Sequence, residues 1–217
     1  MVTIRISEMS LLTMVLNGIE AYAVMNSNRK RARENTKLET IGHIYGYSRE
    51  TDDEKYYYID YVSIDTTALQ KYDAVGEYED SRNLKNDIIK SYWAHLENLG
   101  SFHSHPYNNL HEVQEKNGYY GSDQDRETME ADGEKIAIIL TIATLGKKRD
   151  NGTRYKDGHS NCFQFTLGKL RLWLTAYATY KNEDGKIICT DDKTEDVTID
   201  CPVLAGLKWE HCTPETI

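Results

Sequence analysis

Leu12, Val15, Leu16, Ile19 and Ala23 recur at helical spacing near the start of the chain, so the segment from about Ser7 to Arg31 is predicted to be an amphipathic helix. Ser7 is placed to cap it, and Glu8 suits its first turn. The period then changes. "TIGHIYGYS" and "KYYYIDYVSI" are dense in β-branched and aromatic residues and are divided by the polar "RETDDE", which predicts a β-hairpin. Helical spacing returns with Leu84, Ile88, Tyr92 and Leu96, over about Ser81 to Asn98, and Gly100 is placed to end that helix as a C′ residue. "SFHSH" follows as a short strand that Pro106 is expected to end, because proline cannot donate to a ladder. "SDQDRETMEADG" predicts a helix start, and the continuous apolar run "KIAIILTIATLG" predicts a buried central strand. "NCFQFTLG", "LRLWLTAYATY" and "KIICT" add strands between connections rich in turn residues. Helices and strands mixed in this order predict an α/β or α+β sandwich of sheet and helices.

Length and composition narrow this picture only slightly. The 217 residues suit one domain with a full core, without internal repeats or a low-complexity linker. Asp and Glu outnumber Lys and Arg by 35 to 26, a net charge of -9 that argues against a phosphate-backbone partner. The basic "RKRAR" at Arg29 to Arg33 is expected to be a solvated helix end. Cys162, Cys189, Cys201 and Cys212 contain no C-x-x-C pair and are expected to be free thiols. The chain shows no apolar run of membrane-spanning length and no signal-peptide pattern at its start, so the cytoplasm is the expected location.

The candidate chemistry begins with His103 and His105. On a strand, residues i and i+2 share a face, so both imidazoles aim at one point while Ser104 turns away. Two converging imidazoles are half of a zinc site, but taken alone the pair reads first as two hydrogen-bonded surface histidines. Ser122 and Asp125 form S-x-x-D at a helix start, which is a capping box by itself. Asp125 in that first turn also projects a carboxylate outward, where it can complete a His₂Asp set with a fourth position left for water. Glu39, before "TIGHIYG", is a candidate acid/base.

Glu39 before "TIGHIYG", then "HSHP", then S-x-x-D, resembles the JAMM (MPN+, JAB-domain) zinc metalloproteases over about Ile4 to Leu145, with the elements in the same order. The resemblance implies a curved mixed β-sheet flanked by helices, akin to the cytidine deaminase architecture, and one bound zinc. It implies His103, His105 and Asp125 as the metal ligands. It implies that Glu39 takes a proton from the attacking water and passes it to the leaving amine, and that Ser122 stabilises the oxyanion. The implied activity is hydrolysis of an isopeptide or peptide bond after the C-terminus of a ubiquitin or ubiquitin-like protein. A deubiquitinase-like, stand-alone prokaryotic type is implied, a group that includes antiviral members and others acting on sulfur-carrier proteins. A non-catalytic MPN scaffold is the alternative from another class, and a DNA-associated relative is a third that the acidic surface disfavours.

Two stretches depart from the family pattern. "PYNNLHEVQEKNGYYG" makes the connection from His105 to Ser122 much longer than the family's. Within it, Tyr107 to Gly121 lacks strong periodicity and is expected to form a lid or substrate wall, with Tyr107, Tyr119 and Tyr120 as amphipathic surfaces. It also carries His111, a conceivable extra ligand, whereas His43, His95, His159 and His211 match no family position. The chain from about residue 147 onward forms a C-terminal extension.

Overall fold

The computed structural model describes residues 1–24, 37–70, 75–76, 79–149 and 152–206. In chain order the elements are β1 (Val2–Ile6), α1 (Glu8–Ala23), β2 (Ile41–Glu50), β3 (Lys55–Ile64), β4 (Leu69–Gln70), β5 (Val75–Gly76), α2 (Glu79–Tyr92), β6 (Glu97–Tyr107), α3 (Leu110–Glu115), α4 (Asp123–Asp132), β7 (Ile136–Thr144), β8 (Thr153–Lys156), β9 (His159–Leu167), β10 (Leu170–Lys181), β11 (Ile187–Cys189), β12 (Val197–Asp200) and α5 (Pro202–Gly206). The fold is mixed α+β. One sheet runs β12-β1-β3-β2-β6-β7-β10-β9-β8, with β11 on β10. β6 lies at its centre, antiparallel to β2 and parallel to β7. The sheet curls until its ends meet: Ser160 Oγ and Tyr155 OH, from β9 and β8, each donate at 2.8 Å to the β12 carbonyls of Val197 and Ile199.

Helix α1 is capped as expected, with Ser7 Oγ accepting from the Ser10 amide at 3.2 Å. Its buried stripe is Leu11, Met14, Val15, Gly18 and Tyr22, and Leu12 and Leu16 face solvent. The expected face is therefore rotated. Gly18 explains why: a Cβ there would stand 2.7 Å from Leu140 Cδ2, so glycine lets α1 settle directly on β7. The helix ends at Ala23, with Val24 extended, rather than continuing to Arg31. The basic run Arg29–Arg33 lies outside the described residues.

The second helix is also shorter than its periodicity suggests. It ends at Tyr92, and Glu97–Gly100 belong to β6. Leu84, Ile88 and Tyr92 do line one face, but that face is exposed to solvent. Gly100 is no helix stop. It sits at a bulge opposite Ile44 and Tyr45 with φ +148°, and a Cβ there would approach Ile136 O to 1.8 Å. Only glycine lets β6 pass this close to β7.

β6 continues through Pro106 to Tyr107 instead of stopping at the proline. Ser104 turns its amide toward β2, donating to Thr40 O, so Pro106 turns its nitrogen the same way, beyond the start of β2 at Ile41. A missing N–H on that side breaks no ladder bond. Tyr107–Gly121 is no loose excursion. α3 lies within it, and Val113 and Tyr120 are buried with Ala143, Cys162 and Trp173. Thr141 Oγ1 and Thr175 Oγ1 each donate at 2.7 Å to the carbonyls of Gly118 and Tyr119. Tyr119 stacks edge-on against Trp173, so only Tyr107 of the three tyrosines lines the central cavity. The insert packs onto the sheet, and its Tyr107 and Lys116 line the cavity. The region after residue 147 is equally integral, since it supplies β8 to β12. Among the described residues, no helix is long and apolar enough to cross a membrane.

Candidate metal centre

Strand alternation places His103 and His105 on one face of β6, as the spacing predicted. Their Nε2 atoms lie 3.0 Å apart. Asp125, in the first turn of α4, meets them with Oδ1 at 3.3 Å from His103 Nε2 and Oδ2 at 3.5 Å from His105 Nε2. Three ligands of a tetrahedral zinc, with bonds near 2.05 Å, stand about 3.3 Å from one another. The separations of His103 Nε2 from His105 Nε2 and from Asp125 Oδ1 match that spacing, and these three residues are the group that could hold a metal ion among the described residues. The three side chains retain 12, 13 and 25% exposure, so a ligand can reach them, as an open catalytic site requires.

S-x-x-D opens α4 as a capping box. Ser122 Oγ accepts from the Asp125 amide at 3.2 Å, and Asp125 Oδ2 accepts from the Ser122 amide at 2.6 Å, which is a complete capping box. The same carboxylate faces the histidines. Ser122 Oγ also donates to Asp125 Oδ2 at 2.8 Å.

Charge reinforces the cluster. Burial would raise the Asp125 pKa, but the His103 hydrogen bond, the charges of both histidines and the Ser122 hydroxyl hold it far below the usual carboxylate range. Burial alone would lower His103; the hydrogen bond and charge of Asp125, with Glu39 and Glu134 behind it, raise it instead. His105 falls to about 4 through burial and then through its neighbour His103. Its Nδ1 is buried and has no hydrogen-bond partner among the described residues.

Glu39 is brought to the same place by register. Ile41 pairs with His103 across β2 and β6, and Ser104 N donates to Thr40 O at 2.9 Å, which sets residue 39 opposite residue 105. Glu39, the two histidines, Ser122 and Asp125 all line one cavity of about 330 Å³. Ser104 was not singled out by sequence beyond turning away. Its buried hydroxyl accepts from the Thr40 amide at 3.0 Å and so fixes the residue next to Glu39. Glu134, pinned by Ser101 Oγ at 2.8 Å, is a further carboxylate of this cavity that the linear motif did not reveal. Tyr177 and Cys189 bring the C-terminal strands into its wall. His111 is outside the cluster: it is exposed and pairs with Glu115 at 3.1 Å. His43 is buried elsewhere, His95 is exposed, and His211 and Cys212 lie outside the described residues. Cys162, Cys189 and Cys201 are free and buried thiols.

A scan of the chain against models of protein families finds no match, and a search among curated proteins finds none either. The functional reading rests on the cavity and on the residues that line it.

Proposed function

We propose that the protein is a zinc-dependent isopeptidase or peptidase of the JAMM (MPN+) type, cleaving the bond after the C-terminus of a ubiquitin or ubiquitin-like protein. The observation that carries this reading is the meeting of His103, His105 and Asp125 at 3.0 to 3.5 Å, in a cavity that Glu39 also lines. The curled mixed sheet with its helices supports an MPN/JAB arrangement.

A zinc ion held there supplies Lewis acidity and brings the pKa of water from about 15.7 toward about 7. The chain's own residues do the rest. Glu39 accepts the proton of the attacking water and returns it to the leaving amine. Ser122 turns its hydroxyl from Asp125 toward the oxyanion. Its amide still holds Asp125 Oδ2 at 2.6 Å, so the ligand stays anchored while the hydroxyl is free to donate. Tyr107, next to Pro106, walls the cavity on the side of the insert. Three carboxylates, Glu39, Asp125 and Glu134, favour a cation over an anion at its centre.

The test is cleavage of a ubiquitin-like protein fused through its C-terminus to a reporter. Activity that a chelator abolishes and zinc restores supports the reading. Tight zinc binding without cleavage of any ubiquitin-like fusion would redirect it toward another substrate class. The cytoplasm as the site of action belongs to the same proposal.

A further inference from the structure

The C-terminal strands hold a carboxylate that none of the chemistry above uses. Asp192 follows β11. Its Oδ1 accepts from Tyr177 OH at 2.8 Å and from Arg126 Nη1 at 2.5 Å. Both donors continue to a single residue, Gly121. Tyr177 OH accepts from Gly121 N at 2.8 Å, and Arg126 Nη1 reaches Gly121 O at 3.4 Å. Arg126 also binds the Asp123 carboxylate through Nη2. Asp192 is itself anchored, because its backbone oxygen accepts from Asn161 Nδ2 of β9 at 3.0 Å and Asn161 is fully buried.

Gly121 immediately precedes Ser122, the N-cap of α4 and the residue whose amide and hydroxyl hold Asp125. A continuous set of bonds therefore leads from the buried sheet through Asp192 to the start of α4, and from there to the carboxylate that meets His103 and His105. The phenol stays protonated, since burial and the negative charge of Asp192 push its pKa far up, so it remains a donor to Asp192. Gly121 packs close to β7: a Cβ there would stand 2.8 Å from Ile139 Cδ1.

We propose that Asp192, acting through Tyr177 and Arg126, is a positioning residue for the metal centre: it sets where α4 begins and so where Asp125 stands relative to the two histidines. The proposal rests on the metal reading given above. It makes the C-terminal strands part of the site, although they contribute no ligand.

Partners that orient metal ligands from outside typically change metal affinity by about 10–100-fold when removed. Asp192→Asn keeps the shape and removes the charge. Tyr177→Phe removes one hydroxyl and keeps the packed ring, so it serves where Asp192→Asn fails to fold. Zinc dissociation constants are measured by chelator competition on the full chain. The absorption spectrum of the Co²⁺-loaded protein reports the coordination geometry, and circular dichroism reports the fold. The expected result is a zinc affinity lower by about 10–100-fold and a displaced Co²⁺ spectrum, with unchanged dichroism. A folded variant that binds zinc as tightly as the parent, with the parent's Co²⁺ spectrum, would reduce the network to a structural brace and overturn the proposal. A parent chain that takes up neither metal would overturn the metal reading itself, and this proposal with it.

Discussion

Ser104 Oγ accepts a hydrogen bond from the Thr40 amide at 3.0 Å, deep in the sheet. The serine between the two histidines thus grips the residue next to Glu39. The strand that presents the histidines is thereby tied to the segment that carries Glu39 into β2. Ser104→Ala leaves the Thr40 N–H buried without its partner, a loss of about 1–3 kcal/mol. Urea denaturation should show that loss, and turnover should fall while metal content is kept. Unchanged stability and turnover would mean that water or a shifted backbone replaces the hydroxyl without consequence.

Glu39→Gln should retain the fold and the metal and lose turnover. Glutamine keeps the shape but cannot take the proton, and a positioned acid/base contributes about 10²–10⁴-fold. Steady-state kinetics beside metal analysis checks this. A variant as active as the parent would leave Glu39 only a structural role at the start of β2.

Ser122 has two separable roles. Ser122→Ala removes the N-cap oxygen, at about 1 kcal/mol. It also removes an oxyanion donor, with kcat expected to fall about 10²–10³-fold. The amide of residue 122 remains to hold Asp125, so zinc stays bound. Loss of stability without loss of rate would confine the residue to capping.

His43 gives a pH test away from the metal ligands. Burial, helped by Lys85 and Arg82 and opposed by Asp65, lowers its pKa to about 4. In the unfolded chain it titrates near 6.5. Between about pH 6.5 and about 4 the unfolded state therefore binds more protons, and stability falls as the pH falls. The contribution is fully present above about pH 6.5 and is lost by about pH 4, on the order of 3 kcal/mol at most. In the presence of chelator, the parent should lose stability across this window more steeply than His43→Gln. Parallel stability curves for the two proteins would contradict it.

Much of the site was legible because strand alternation is a local rule. His103 and His105 share a face wherever β6 goes, and S-x-x-D marks a helix start whatever else it does. Spacing alone could not reveal which stripe of α1 is buried, since that depends on Gly18 meeting Leu140. The end of α2 was misplaced because the sheet claims Glu97–Gly100, and Gly100 serves a close strand approach, not a helix stop. Tyr107–Gly121 looked aperiodic because its fixed points are scattered: Val113 and Tyr120 bury themselves against Ala143, Cys162 and Trp173. Asp192 and Tyr177 reach α4 only after the chain has folded back through β10 and β11, so no linear motif could mark them.

One zinc held by His103, His105 and Asp125 underlies the whole proposal. Elemental analysis of the purified full chain beside His103→Ala and Asp125→Ala tests it most directly. The expected result is about one zinc per chain in the parent, and little in either variant, because the two remaining ligands are too few for a stable catalytic set. A parent with no zinc, or variants that retain it at the parent's stoichiometry, would rule out a zinc site built on these three residues.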